Sequence, residues 1–162
     1  MEKILKKVYE KKRLFASLLL LSHFISALSV AVAAIIFVKA FILSPTAFLK
    51  IAVILGIPFL AVSIVRKIIN KKRPYEIYSF YEKRPKKREG LSFPSRHVHS
   101  FFAISAAASL IFPPLCVPLL ILGTTLCILR VILGIHFIRD VVTGALTGTA
   151  STLIGFLILT PF

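Results

Sequence analysis

The chain has 162 residues, 57% of them hydrophobic, and carries 21 Lys and Arg against 6 Asp and Glu, for a formal net charge of +15. An ordinary water-soluble domain is about 45–50% apolar, and a disordered chain is far less hydrophobic, so both classes are excluded. A nucleic-acid partner would explain the charge but not the apolar content. This composition belongs to an integral membrane protein with basic loops at a lipid surface, and the length suits a single domain, 1–162.

A basic N-terminal segment, 1–13, holds Lys3, Lys6, Lys7, Lys11, Lys12 and Arg13. Leu14 to Val38 then runs 25 positions without a formal charge, enough for one tilted crossing of about 20 residues. The run is too long for the apolar region of a signal peptide, about 7–15 residues. Ser44-Pro45 interrupts the pattern, and Thr46 to Val65 supplies a second crossing. The one long polar stretch, 66–96, holds eleven Lys or Arg and three Glu and reads as a basic interfacial loop.

From His97 to Leu129 no charged side chain occurs over 33 positions. One helix of that length would reach about 50 Å, against a hydrocarbon core of about 30 Å. Pro113-Pro114 cannot continue a helix comfortably, so the run becomes a hairpin of two short crossings, 97–112 and 115–133. Val141 to Leu159 makes the last. The expected fold is all-α, a polytopic transmembrane bundle of five crossings; a sixth would need two spans of about 17 residues within 14–49. Cys116 and Cys127 sit in apolar runs without thiol-rich or polar company, which argues against a disulfide or zinc site. Gly144-x-x-x-Gly148 reads as a close helix-packing surface.

Three polar clusters could carry chemistry. Asp140 is the only Asp, and His136 lies four residues earlier, on the same face if the segment is helical. Such an Asp can accept the ring N–H, fix the tautomer and stabilise the imidazolium. The plainer reading is a structural His–Asp pair, or Asp140 answering Arg139. The second cluster is Phe93-Pro94-Ser95-Arg96-His97-Val98-His99. Ser95 suits an N-cap, and a helix start beside Arg96 can hold an anion with His97 facing it. The third is Arg66-Lys67 and Lys71-Lys72-Arg73-Pro74, alone no more than a headgroup patch. An even number of crossings separates these clusters, so they share one membrane face. Arginines for bidentate clamping and histidines for nucleophile and acid suit a phosphate.

A basic residue, x6, Arg73-Pro74, then Pro94-Ser95-x-His97, then Arg130-x5-His136-x3-Asp140 resemble the three-part signature of the type-2 phosphatidic acid phosphatase (lipid phosphate phosphatase) superfamily, over core motifs 66–140. The resemblance implies a membrane-integral phosphatase of a lipid phosphate or diphosphate, of polyprenyl diphosphate, phosphatidate or phosphatidylglycerol phosphate type. It makes His136 the nucleophile that forms a phosphohistidine, Asp140 its orienting partner, and His97 the acid and later base. Arg73, Arg130 and Ser95 would hold phosphate oxygens, joined by Arg66, Lys67 and Arg96. No metal or other cofactor is implied, because arginines supply the charge stabilisation. Three positions depart from the pattern: Arg66 stands where the family has Lys, Arg96 where it has Gly, and Leu129 where it has Ser.

The expected partners are a phosphorylated membrane lipid and the bilayer, and the expected location is the plasma membrane, multi-pass. With 1–13 inside, the positive-inside rule puts the catalytic face in the cytoplasm. Two other classes compete. A catalytically silent headgroup binder would keep the charge without turnover. A metal-binding enzyme or transporter could ligate through His97, His99, His136 and Asp140, although the nearby arginines would repel a cation.

Overall fold

Residues 2–81 and 90–159 are described by a computed structural model. They form helices α1 (Glu2–Glu10), α2 (Lys12–Leu43), α3 (Pro45–Ile69), α4 (Pro74–Ile77), α5 (Arg96–Ile111), α6 (Cys116–Ile132) and α7 (Ile138–Leu159), with a 3₁₀ turn at Pro113–Leu115. No strand occurs among the described residues.

Four helical stretches, Lys12–Leu43, Pro45–Ile77, Pro113–Ile132 and Ile138–Leu159, are long and apolar enough to cross a membrane. Between them runs α5, with 16 residues, or about 24 Å. With α5 as a shorter fifth, they form the polytopic all-α bundle that was expected. The 14–49 stretch holds no sixth, because α2 is unbroken to Leu43 and turns at one residue. Ser44 is extended, at φ −171° and ψ 153°. Its N–H closes α2 on Ala40 O at 3.1 Å, while its Oγ accepts from Ala47 N at 3.0 Å and Pro45 starts α3. The expected Pro113-Pro114 break is present as the 3₁₀ turn.

Large apolar side chains face outward along the bundle, among them Phe24, Ile42, Leu43, Ile57 and Leu157. In water such a coat would be an association surface; here it suits contact with lipid tails. Inside, Ile25, Ile36, Phe101, Leu126, Leu129 and Leu133 form the apolar core.

Helix α5 is central and lies closest to α7. A Cβ added at Gly144 would sit 2.7 Å from Ser95 O, and one at Gly148 only 2.3 Å from His99 O. The two glycines therefore let the α5 and α7 backbones meet, as their spacing suggested. The starts of α2, α5 and α7 and the ends of α3 and α6 all fall at one end of the bundle. Helix α1 joins that end: its Leu5 is buried, and the Tyr9 ring packs 4.8 Å from that of Tyr81.

Candidate active site

The last turn of α6, the α6–α7 connection and the first turn of α7 bring Arg130, His136 and Asp140 together. Helix α6 stops at Gly134, which has φ +66°; a Cβ there would also strike the Tyr81 hydroxyl at 2.2 Å. The chain then folds back, and Ile135 N and His136 N both donate to Arg130 O at 3.1 Å. The five residues between Arg130 and His136 thus form a closed turn that sets the two side by side. One turn later Asp140 is fully buried.

Three groups converge on Asp140 Oδ2. Ser92 Oγ donates to it at 2.5 Å, Phe137 N at 3.0 Å, and His136 Nδ1 faces it at 3.7 Å. Asp140 Oδ1 is 3.7 Å from Arg139 Nε. With Nδ1 turned towards the carboxylate, a neutral His136 that carries its proton there has its Nε2 lone pair free for attack. Burial pushes the His136 imidazole down to about 4, and the charge of Arg73 adds to that, while Asp140 pulls the other way. His136 is therefore neutral near pH 7.

The loop before α5 is fastened to the same place. Ser95 N donates to Asp140 O at 2.9 Å, so the start of α5 is tied directly to α7. Ser95 occupies the N-cap position as expected, but its hydroxyl makes no capping hydrogen bond. It is buried and has no hydrogen-bond partner, which leaves a polar atom for a ligand. His97, in the first turn of α5, is exposed, with Arg130, His136, Arg96 and Arg66 all in electrostatic range.

The arginines divide into different tasks. Arg130 is buried, donates from Nη2 to Ser26 Oγ at 3.0 Å, and keeps an unpartnered buried Nε. Arg73 donates from Nε to Gly90 O at 3.0 Å, and its charge reaches Arg66, Arg130 and His136. Arg66, expected to clamp phosphate, is turned to the protein's own backbone. Its Nη1 donates to Pro94 O at 2.7 Å and its Nη2 to Leu91 O, so it braces the loop beneath Ser95.

The family profile described as the PAP2 superfamily matches residues 47–161. The chain belongs to the PAP2 superfamily. Its fold resembles the crystal structure of a transmembrane PAP2 type phosphatidylglycerolphosphate phosphatase from Bacillus subtilis, with TM-score 0.70 and 20% identity over 97% of this chain and 83% of that one. No curated protein matches the sequence.

Within this PAP2 chain, His136, Asp140, His97, Ser95, Arg73, Arg130 and Arg66 gather at one end of the bundle, whereas two expected residues at that end have exposed side chains. Lys67 is exposed one position beyond the buried Arg66, and a step of one residue on a helix turns it to a different face. Arg96 is exposed, with its guanidinium 5.4 Å from the centre of the Phe59 ring on α3, at the rim of the site. His99 is turned away from His97, and its Nδ1 lies 3.1 Å from Thr147 Oγ1 on α7. The four-residue ligand set of a metal centre is therefore not assembled. Among the described residues no three of His, Cys, Asp and Glu lie together as metal ligands would.

Reading the sequence alone missed Ser92, which holds Asp140 from across the fold, and Ser26, which holds Arg130 from α2. It also missed Glu76, whose Oε1 and Oε2 each accept from Gly90 N at 2.9 Å and whose Oε1 accepts from Arg73 N at 3.2 Å. Glu76 sits three residues after Arg73 at the start of α4, and that capping spacing was the available signal.

Proposed function

We propose that this protein is a membrane-integral phosphatase that removes phosphate from a membrane lipid through a phosphohistidine at His136. The carrying observation is the arrangement at one end of the bundle. A buried neutral histidine backed by a buried carboxylate stands beside Arg130 and Arg73, with exposed His97 opposite. In the proposed reaction His136 Nε2 attacks phosphorus and the bond from phosphorus to the lipid oxygen breaks. His97, which enters the cycle as an imidazolium held against the bound phosphate dianion, delivers a proton to that oxygen. The imidazolium formed on His136 is compensated by Asp140, which accepts from Nδ1 as the ring gains charge. A water molecule, giving its proton to His97, then attacks phosphorus; the phosphorus–nitrogen bond breaks, inorganic phosphate leaves, and His136 is neutral again with His97 reprotonated. Arg73 and Arg130, with the Ser95 hydroxyl, stabilise the equatorial oxygens.

A substrate already held in the bilayer suits a chain whose described residues lie mostly in helices. The similar fold belongs to a phosphatidylglycerolphosphate phosphatase, so that lipid, phosphatidate and polyprenyl diphosphate form the test panel. Purified protein with EDTA should release phosphate from at least one of them, and rapid quenching with labelled substrate should trap an acid-labile label at His136. No turnover on any panel lipid would favour a silent headgroup binder. Turnover abolished by EDTA and restored by a divalent cation would favour a metal enzyme.

A further inference from the structure

At the end of the bundle opposite the site, about 37 Å away along α3, an apolar cavity of about 380 Å³ opens among α2, α3, α5 and α7. Its walls include Ile36, Ala40, Ile51, Ile111 and Phe156, and its rim carries Lys39 and Lys50. Every other Lys and Arg among the described residues belongs to the site end. The two cations that the described residues place at the far end therefore line the same cavity. The Lys39 ammonium lies 5.5 Å from the centre of the Phe112 ring.

Among the described residues no carboxylate side chain answers these lysines. Glu2, Glu10, Glu76 and Asp140, the carboxylates among the described residues, all lie at the site end. Two ammonium groups at a bilayer surface, with no acidic side chain beside them among the described residues, attract an anion, and the apolar walls between them exclude a fully hydrated one. We propose that this cavity binds an anionic glycerophospholipid of the leaflet opposite the active site. Its phosphate sits between Lys39 and Lys50 and one acyl chain lies against Ile36, Ile51 and Phe156. The volume falls in the ordinary range for a small-molecule pocket, about 300–1,000 Å³. The lipid would staple the α2–α3 corner to the ends of α5 and α7 without touching the reacting groups.

The chain has no Trp, so Phe112→Trp introduces a single Trp beside the cavity-lining Lys39 and keeps an aromatic face for it. Full-length protein carrying it is reconstituted in phosphatidylcholine vesicles containing brominated phosphatidylglycerol or, separately, brominated phosphatidylcholine. Half-maximal quenching should need about 25-fold less of the anionic lipid, with about fivefold lost for each of Lys39→Gln and Lys50→Gln. Ala47→Phe keeps both charges but fills the cavity, and it should abolish the preference; Thr46→Phe, at an exposed rim position, plugs the mouth if Ala47→Phe misfolds. Equal quenching by both lipids in the parent would overturn the proposal. So would an undiminished preference in folded plugged variants, which would mean diffuse surface attraction only.

Discussion

Ser92 Oγ donates to Asp140 Oδ2 across 2.5 Å, although 48 residues separate them in the chain. The same oxygen faces His136, so the hydroxyl fixes the carboxylate that orients the proposed nucleophile. Partners one step behind a working group commonly matter by about 10–100-fold. Ser92→Ala should lower kcat by about tenfold with little change in KM, and Ser92→Thr should restore part of it. Initial-rate kinetics on purified variants check this. A loss confined to KM would contradict it.

The depressed pKa of His136 makes a pH prediction. The folded group titrates near 4 and the unfolded one near 6.5. Between those values the unfolded chain takes up a proton that the folded chain refuses, so stability rises with pH across that window. The penalty is complete below about 4 and absent above about 6.5. Imidazole resonances of labelled protein in detergent should place the His136 midpoint well below 6; a midpoint near 6.5 would contradict the buried neutral ring.

Arg66 and Arg73 should fail differently when each becomes Lys. Arg66 joins two carbonyls of the 91–94 loop, which an ammonium cannot bridge with the same fork. Arg66→Lys should lower the melting temperature and activity together. Arg73→Lys should leave melting nearly unchanged and reduce kcat/KM by about a hundredfold. Arg139, which is well exposed, should tolerate Lys. Thermal melts alongside kinetics separate the cases.

Gly148→Ala places a methyl group against His99 O, where no flexible side chain can yield. Helices α5 and α7 must separate, at a cost of about 2 kcal/mol, and Ser95 is pulled from Asp140. Reduced thermal stability with partial loss of activity is the expected result, measured by melting in detergent micelles.

Membrane orientation can be tested at Ser79 and Pro113, at opposite ends of the bundle. With Cys116 and Cys127 replaced, an impermeant thiol reagent applied to intact cells should label a cysteine at 113 and spare one at 79, if the basic end faces the cytoplasm. The reverse pattern would place the site outside.

Much of this arrangement was written in short-range pattern. Charge-free runs and Pro113-Pro114 marked the helices, and the spacing of His136 and Asp140 kept them close, although His136 lies in the connection before α7 rather than on its helical face. The juxtaposition of Arg130 with His136 follows from a closed turn whose Gly134 is visible in the sequence. The tertiary partners were not legible. Ser26 meets Arg130 from 104 residues away, and nothing around either residue encodes that distance. Arg66 looked like a ligand for phosphate because its charge was visible, whereas the carbonyls it binds carry no side-chain signature.

Helix α5 covers about 24 Å, whereas an average hydrocarbon slab is about 30 Å thick. With one end at the Pro113 turn, its His97 end falls short of the far surface by about 6 Å. Headgroups must dip, or the slab must thin around this short strut, before phosphorus meets the histidines. Turnover should thus respond to hydrophobic mismatch: short-chain host lipids favour the reaction and long-chain hosts slow it, even when the substrate itself is unchanged.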